Sequence, residues 1–382
     1  MFSDYFLPHV GGGVERVVYE ISKALVEAGD RVSVVTLNTR NATEYESIEG
    51  ISVYRAHALG LTNVAGMQST VSLNSISLAL DVCHKFKPDI LHAHNIFFST
   101  TAVSTLLRTI LRIPLVLTLH LGAFDMLGRK ERLLASSYER LVGRWEANVA
   151  DRVTAVSMAV QAHGAGALGI SLQDISLIPN GVDSGRFSPP QDFREPKHGP
   201  AKLSVAFVGR MIENKGIEYL VKAAPKVLTR FNARFVVVGN GPMYDQVQRL
   251  TRSLGVANSF EFLGEVDHVE DILRSCDMLV RPSLTDGMPL GVLEAMSCGI
   301  PVIATSVAGT PELVRDRGTG LLIPPRDSEA LARAIVELAQ NPSLARELAW
   351  NARLFVERCK DWRDIAALYR NVYVNLLDRR IT

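Results

Sequence analysis

DGMPLGVLEAMSCGIPVIAT, residues 286 to 305, sets an acid and a glycine ahead of a proline, places a second acid eight positions after the first, and ends in a strand-like PVIAT. Pro289 suits the first position of a helix and Gly299 its stop. The preceding DMLVRPS reads as a strand and LTDGM as a loop, so this helix begins at a strand's carboxyl end. Val292, Leu293 and Met296 form an apolar stripe for a sheet, whereas Leu290 and Glu294, four apart, share a neighbouring face. About one turn into the helix, Glu294 can accept hydrogen bonds from two adjacent hydroxyls, as a ribose presents. Asp286, ahead of the helix, can take the hydroxyls of a sugar. Between the two acids, backbone N–H groups, among them those of Gly287, Met288 and Leu290, face phosphates.

Outward from this stretch, apolar strand-like runs alternate with amphipathic helical patterns. RVSVVTL at 31, DILHAH at 89, PLVLTLH at 114 and DRVTAVS at 151 form a first set. KLSVAFVGR, ARFVVVGNG, SFEFLGE, DMLVRPS, PVIAT and GLLIPP form a second. Residues 180–202, rich in Pro, Gly and charge, interrupt the pattern as a linker would. The expectation is an α/β protein of two doubly wound, Rossmann-like parallel-sheet domains facing across a cleft, with ligands beyond the carboxyl ends of the strands.

A length of 382 residues suits two domains, and 47% hydrophobic with 21% charged residues fits a chain that folds without staples. A formal net charge of +1 gives no sign of a nucleic-acid partner. Cys83, Cys276, Cys298 and Cys359 lie far apart with no C-x-x-C pair, which points away from a disulfide framework or zinc knuckle and toward a reducing compartment. No run is apolar enough to span a membrane and no secretory leader opens the chain, so a cytoplasmic protein is expected, resting at most on the inner face of a membrane. Residues 128–152, helical and rich in Arg, have a composition that can lie on anionic lipid, although a solvated face is the commoner reading.

Two further constellations carry chemistry. Gly11-Gly12-Gly13 closes a loop and opens a helix whose face holds Val14, Val17, Val18, Ile21 and Leu25, an arrangement that lets backbone approach an anion. The strand before that helix has only a few residues ahead of Pro8. It reads as truncated, at a cost in stability because its neighbours lose a hydrogen-bonded partner. In VAFVGRMIENKG, Arg210 ends a strand and Lys215 precedes a helix, two cations at one turn as a diphosphate needs.

Taken together, DGMPLGVLEAMSCGIPVIATSVAGTPELVRDRGTGLLIPP, GGGVERVVYEISKAL, DILHAHN, NGVD and VGRMIENKG closely resemble the retaining nucleotide-sugar glycosyltransferases of family four, which have the GT-B fold. The resemblance covers essentially the whole chain. It implies that Arg210 and Lys215 hold the donor diphosphate, Glu294 the ribose and Asp286 the transferred sugar. Gly12 and Gly13 would approach the donor phosphate or the acceptor, and the backbone of Val266 would contact the nucleobase. His120, closing the strand PLVLTLH, matches a histidine beside the transferred sugar, and with Arg210, Lys215 and Asp286 completes the catalytic set. The implied domains are an acceptor-side domain over 1–183, a nucleotide-sugar domain over 184–361, and a helix over 362–382 that crosses back onto the first at a hinge.

The implied reaction is transfer of a hexose from a UDP- or GDP-sugar to a sugar, lipid-linked or small-molecule acceptor with retention, by front-face attack and without a protein nucleophile. No D-x-D triplet occurs, so neither a metal ion nor a cofactor is expected. Asp286 stands where the family often has Glu, and Pro289 where it often has Gly, deleting one backbone donor; both suggest altered sugar preference. A nucleotide-sugar epimerase of the same fold, or a non-catalytic nucleotide-sugar binder, remains the alternative at this stage.

Overall fold

The computed structural model describes residues 1–9, 12–64, 67–122, 128–190 and 202–378, with backbone alone at 60–64, 67–69 and 131. The chain divides into two compact units, Met1–Gly181 with Trp362–Thr382, and Val182–Asp361. None of the four cysteines is in a disulfide. Among the described residues no helix is long and apolar enough to cross a membrane.

The first unit contains β1 (Ser33–Asn38), β2 (Tyr45–Ile48), β3 (Ile51–His57), β4 (Leu59–Val64), β5 (Met67–Val71), β6 (Leu91–His94), β7 (Leu115–Leu119), β8 (Arg152–Ala155) and β9 (Ile175–Leu177). β6, β7, β8 and β9 run parallel in that order, β1 pairs parallel with β3, and β2 lies antiparallel on β3. β4 and β5 form a hairpin. The opening residues join the two groups of strands, since Phe2 bridges in parallel to both Val35 and Ala93. Its N–H donates to His92 C=O at 2.8 Å and its C=O accepts from His94 N–H at 3.1 Å, while Val35 N–H donates to Met1 C=O at 2.9 Å. The expected loss of a central partner is thereby corrected. A strand this short shows no periodicity, yet it fills the bonding edges of β1 and β6.

Around this sheet lie α1 (Gly13–Glu27), α2 (Ser75–Phe86), α3 (Ser99–Leu111), α4 (Arg129–Tyr138), α5 (Arg144–Val149) and α6 (Met158–Leu168). A π-helical turn over Glu139–Gly143 connects α4 to α5. The stripe expected on α1 is the buried one at Val17, Val18, Ile21 and Leu25.

The second unit is a single parallel sheet of β10 (Leu203–Val208), β11 (Ala233–Val238), β12 (Phe260–Gly264), β13 (Met278–Arg281), β14 (Val302–Thr305) and β15 (Leu321–Ile323). Their order is β12-β11-β10-β13-β14-β15. Along each strand alternate residues enter opposite cores: Val205, Phe207, Phe235, Val237 and Val280 on one side, Ala206, Val236, Val238 and Leu279 on the other. Both faces are therefore covered, by α7 (Ile217–Leu228), α8 (Tyr244–Ser253), α9 (Val269–Ser275), α10 (Leu290–Ser297), α11 (Thr310–Leu313), α12 (Ser328–Gln340) and α13 (Pro342–Val356). Strand order reverses between β10 and β13, and in such sheets the crevice at the carboxyl ends of those two strands receives the ligand.

The last helix, α14 (Trp362–Asp378), returns to the first unit. It buries Trp362, Ile365, Ala366 and Tyr369, and Arg363 and Arg370 pair with Glu27 and Asp30 on and just after α1.

Candidate active site

The reversal point of the second sheet gathers the charged side chains. After β10, Gly209 (φ +154°) leads into the half-buried Arg210, then into a short 3-10 turn over Glu213–Lys215, and Gly216 (φ +66°) opens α7. A Cβ at 216 would lie 2.0 Å from the Pro282 carbonyl oxygen, and one at 209 would lie 2.5 Å from Arg281 Nη1. Glycine at both positions is what lets this turn lie against the end of β13.

From β13 the chain folds back so that Asp286 lies beneath Arg281. Asp286 Oδ2 accepts from Arg281 Nε at 3.0 Å, Arg281 Nη2 at 2.7 Å and Ser283 Oγ at 3.1 Å, and Oδ1 accepts from Lys215 Nζ at 3.0 Å. Arg281 Nη1 donates to the Val208 carbonyl at 2.5 Å. Burial alone would raise the Asp286 carboxyl, but the charges of Arg281 and Lys215, with their hydrogen bonds, hold it at about 2. Burial lowers Lys215 to about 8, Asp286 opposing the fall and Arg281 and Arg210 adding to it. The structure thus brings Arg210, Lys215 and Asp286 together and adds Arg281, which sequence reasoning passed over. Its signal was a cation ending a strand five residues before the acid.

Val292, Leu293 and Met296 are buried against the sheet, while Leu290 and Glu294 are half-buried on the neighbouring face of α10. Pro289 occupies the N-cap, one position earlier than expected, and its carbonyl accepts from Val292 and Leu293 N–H. The N–H groups of Leu290 and Gly291 head the helix, where the backbone ladder supplies no partner. Gly287 is buried, and the half-buried Met288 and Val266, the latter following β12, each pack on the same core.

The remaining candidates belong to the first unit. Gly12 is the N-cap of α1 and Gly13 its exposed first residue; Gly11 lies outside the described residues. His120, just past β7, is 6% exposed and its Nε2 lies 3.1 Å from His94 Nδ1. Burial pushes its pKa down to about 3 and those of His92 and His94 well below the ordinary histidine value, so all three rings are neutral near pH 7. His92 in turn meets Tyr373 Oη at 2.6 Å and Thr118 Oγ1 at 2.7 Å, and Thr118 meets Thr154 at 2.7 Å. This polar network ties α14 to the carboxyl ends of β6 and β7.

Asp4 caps α3, accepting from Ser99 N–H at 2.9 Å and Thr100 N–H at 2.8 Å, and burial raises it to about 6. Glu146 on α5 is fully buried with neither carboxyl oxygen hydrogen-bonded, and burial, reinforced by Asp4, pushes it up to about 9.

Comparison with known proteins identifies the family. Residues 11–186 match the family model described as Glycosyltransferase Family 4, and residues 202–341 match that described as Glycosyl transferases group 1. An uncharacterized glycosyltransferase of Methanocaldococcus jannaschii is 28% identical, with 96% of this chain and 95% of that protein aligned. The glycogen synthase of Mycobacterium tuberculosis is also 28% identical, with 98% and 94% aligned. Anabaena HepE, solved in complex with UDP-glucose, superposes with a TM-score of 0.79 at 20% identity over 98% of both chains. The chain belongs to the group 1, family four glycosyltransferases and has their GT-B fold.

Proposed function

We propose that this glycosyltransferase moves a hexose from a nucleoside-diphosphate sugar to an acceptor hydroxyl with retention of anomeric configuration. The observation that carries the reading is the pairing of both Lys215 and Arg281 with one carboxylate, Asp286, at the reversal point of the second sheet, with Arg210 close enough to Lys215 to act on its charge. Two cations on one acid leave positive charge for an anion. Arg210 and Lys215 would hold the diphosphate, the α10 N–H groups would add to them, Glu294 would take the ribose hydroxyls, and the backbone at Val266 the base. A uridine donor is favoured because HepE is solved with UDP-glucose. A carbohydrate acceptor is favoured by the name of the mycobacterial relative.

In the proposed step the bond from C1 to the donor phosphate oxygen breaks as the acceptor oxygen bonds C1 on the same face. The acceptor proton passes to the departing phosphate, giving the nucleoside diphosphate. Arg210 and Lys215 stabilise the charge that develops on that leaving group, so the reading requires neither a metal ion nor a cofactor. NMR of the product anomer, with the reaction run in EDTA, tests it. Retention with undiminished turnover is expected; inversion or chelator-sensitive turnover would contradict it.

The segment from α4 to α5 favours an acceptor at a membrane surface. Leu133, Leu134, Leu141 and Trp145 are 68%, 49%, 75% and 43% exposed, and Arg129, Lys130, Arg132, Arg140 and Arg144 are exposed among them. Of the three acids in 129–149, Glu139 and Glu146 are buried. An outward face of leucine, tryptophan and arginine suits anionic lipid. Co-sedimentation with phosphatidylglycerol vesicles, absent with phosphatidylcholine and lost when Leu141→Gln is combined with Trp145→Gln, is the expected result. Equal recovery with both vesicle types would remove this part of the reading.

A further inference from the structure

The guanidinium of Arg281 makes three hydrogen bonds that serve two purposes. One fixes it to the end of β10 through the Val208 carbonyl, and two clasp a single oxygen of Asp286. Ser283 fills the same oxygen, leaving Oδ1 to face Lys215. A carboxylate has about four acceptor positions, so Oδ2 is saturated and Oδ1 keeps one place beyond Lys215. The loop that carries these groups is itself tied down: Leu284 N–H donates to Asn214 C=O at 2.8 Å, Gly309 N–H to Asp286 C=O at 3.1 Å, and Thr305 Oγ1 to Ser283 C=O at 2.5 Å. Gly209 and Gly216, on the Lys215 side, are the two positions where any side chain would collide with Arg281 or Pro282.

We infer that Arg281 is a positioning residue of the donor site: it orients Asp286 as the fixed counter-charge that places the Lys215 ammonium and keeps it protonated. Asp286 on this account works on Lys215 first, with room for at most one hydroxyl of the sugar. Among the described residues, the charged groups that act on Lys215 are Asp286, Arg281 and Arg210. Two of these are cations and burial acts in the same direction as they do, so one carboxylate opposes every influence that would strip the proton. Its orientation therefore sets the pH range in which Lys215 carries charge. The consequence for donor binding rests on the proposed role of Lys215 toward the diphosphate; the consequence for its titration does not.

The two are separated by reading Lys215 directly. Acetic anhydride acylates only the neutral amine, so the pH dependence of labelling at Lys215, followed by mass spectrometry in the whole ligand-free protein, gives its titration. The wild-type midpoint is expected near 8. Asp286→Asn should lower it by about one unit. Arg281→Lys keeps the charge but cannot clasp Asp286 and Val208 together, so it should shift the midpoint down as well. The double variant should go no lower than Asp286→Asn alone. Ser283→Ala, a milder change, should shift it in the same direction by less. UDP affinity at pH 7.5 should fall about threefold for each variant whose midpoint drops by one unit. A midpoint left at the wild-type value, or raised, in folded Arg281→Lys or, if that variant does not fold, in Ser283→Ala would overturn the inference. Midpoints that shift as expected while Lys215→Ala binds UDP like wild type would keep Arg281's role and remove Lys215 from the diphosphate.

Discussion

Each unit places polar groups at the carboxyl ends of its parallel strands, yet the two ends are electrostatic opposites. In the second unit a buried acid, Asp286, is clasped by Arg281 and Lys215 and held charged near 2. In the first, three imidazoles are held neutral by burial, and the buried acid Glu146, with Asp4 near enough to act on it, keeps its proton up to about 9. The difference teaches that burial by itself does not decide charge. A carboxylate survives in a low-dielectric interior where cations or several hydrogen-bond donors reach it, and surplus cations then mark where an anion docks. A neutral, hydrogen-bonding end suits hydroxyls instead.

The sharpest way to break this contrast is to remove a cation from the charged end. Lys215→Ala is expected to lower kcat/KM for sugar transfer by about 10²–10³-fold with the fold intact by circular dichroism. Near wild-type turnover would dissolve the contrast as a functional one.

Removing the hidden acid of the neutral end should act on stability instead. Glu146 has a folded-state value raised above the 4.5 of an ordinary glutamate. Its contribution to stability is therefore intact below that value and is lost as pH rises from there toward 9. Glu146→Gln removes the penalty, and urea unfolding should show a gain of about 3 kcal/mol at pH 7 and little change at pH 4. An equal effect at both pH values would mean that Glu146 is not the titrating group.

Asp286 runs in the opposite sense. Its folded-state value of about 2 is depressed from 3.8, so its contribution is present above 3.8 and is lost as pH falls through 2. Urea unfolding should show an acid loss of about 2 kcal/mol in that window that Asp286→Asn abolishes.

The smallest effect is expected at His120. Because the ring is neutral throughout the working range, His120→Asn should lower turnover by about tenfold without adding or removing a break between pH 5 and 8. A histidine-like break present in wild type and lost in the variant would show that His120 titrates in use.

Most strands of the parallel sheets were legible because β-branched runs bounded by Gly, Pro and charge repeat along the chain, and the α10 stripe because Val292, Leu293 and Met296 recur at helical spacing, whereas the three-residue β9 and the β4–β5 hairpin were not read. β2 escaped notice because it is short and half-exposed on an edge. β3 was passed over although Ile51, Val53 and Arg55 alternate inward in the manner of a strand. The opening strand escaped because one bridging residue has no period. At the site, Lys215 and Asp286 were marked by their motifs, but their contact was not, since the turn that folds Asp286 back under β13 joins residues 71 positions apart. Arg281 looked like any cation at the end of a strand, and Glu146 like any acid of a charged helix. Partners from other elements, invisible in a local window, gave both their character.

The most direct test of the account is thermal stabilisation of the protein by UDP, GDP and ADP sugars in EDTA, repeated with Lys215→Ala. A clear rise in Tm with one nucleotide sugar, lost in the variant, is the expected result and would seat the diphosphate at the charged end. The same rise in wild type and variant would contradict it.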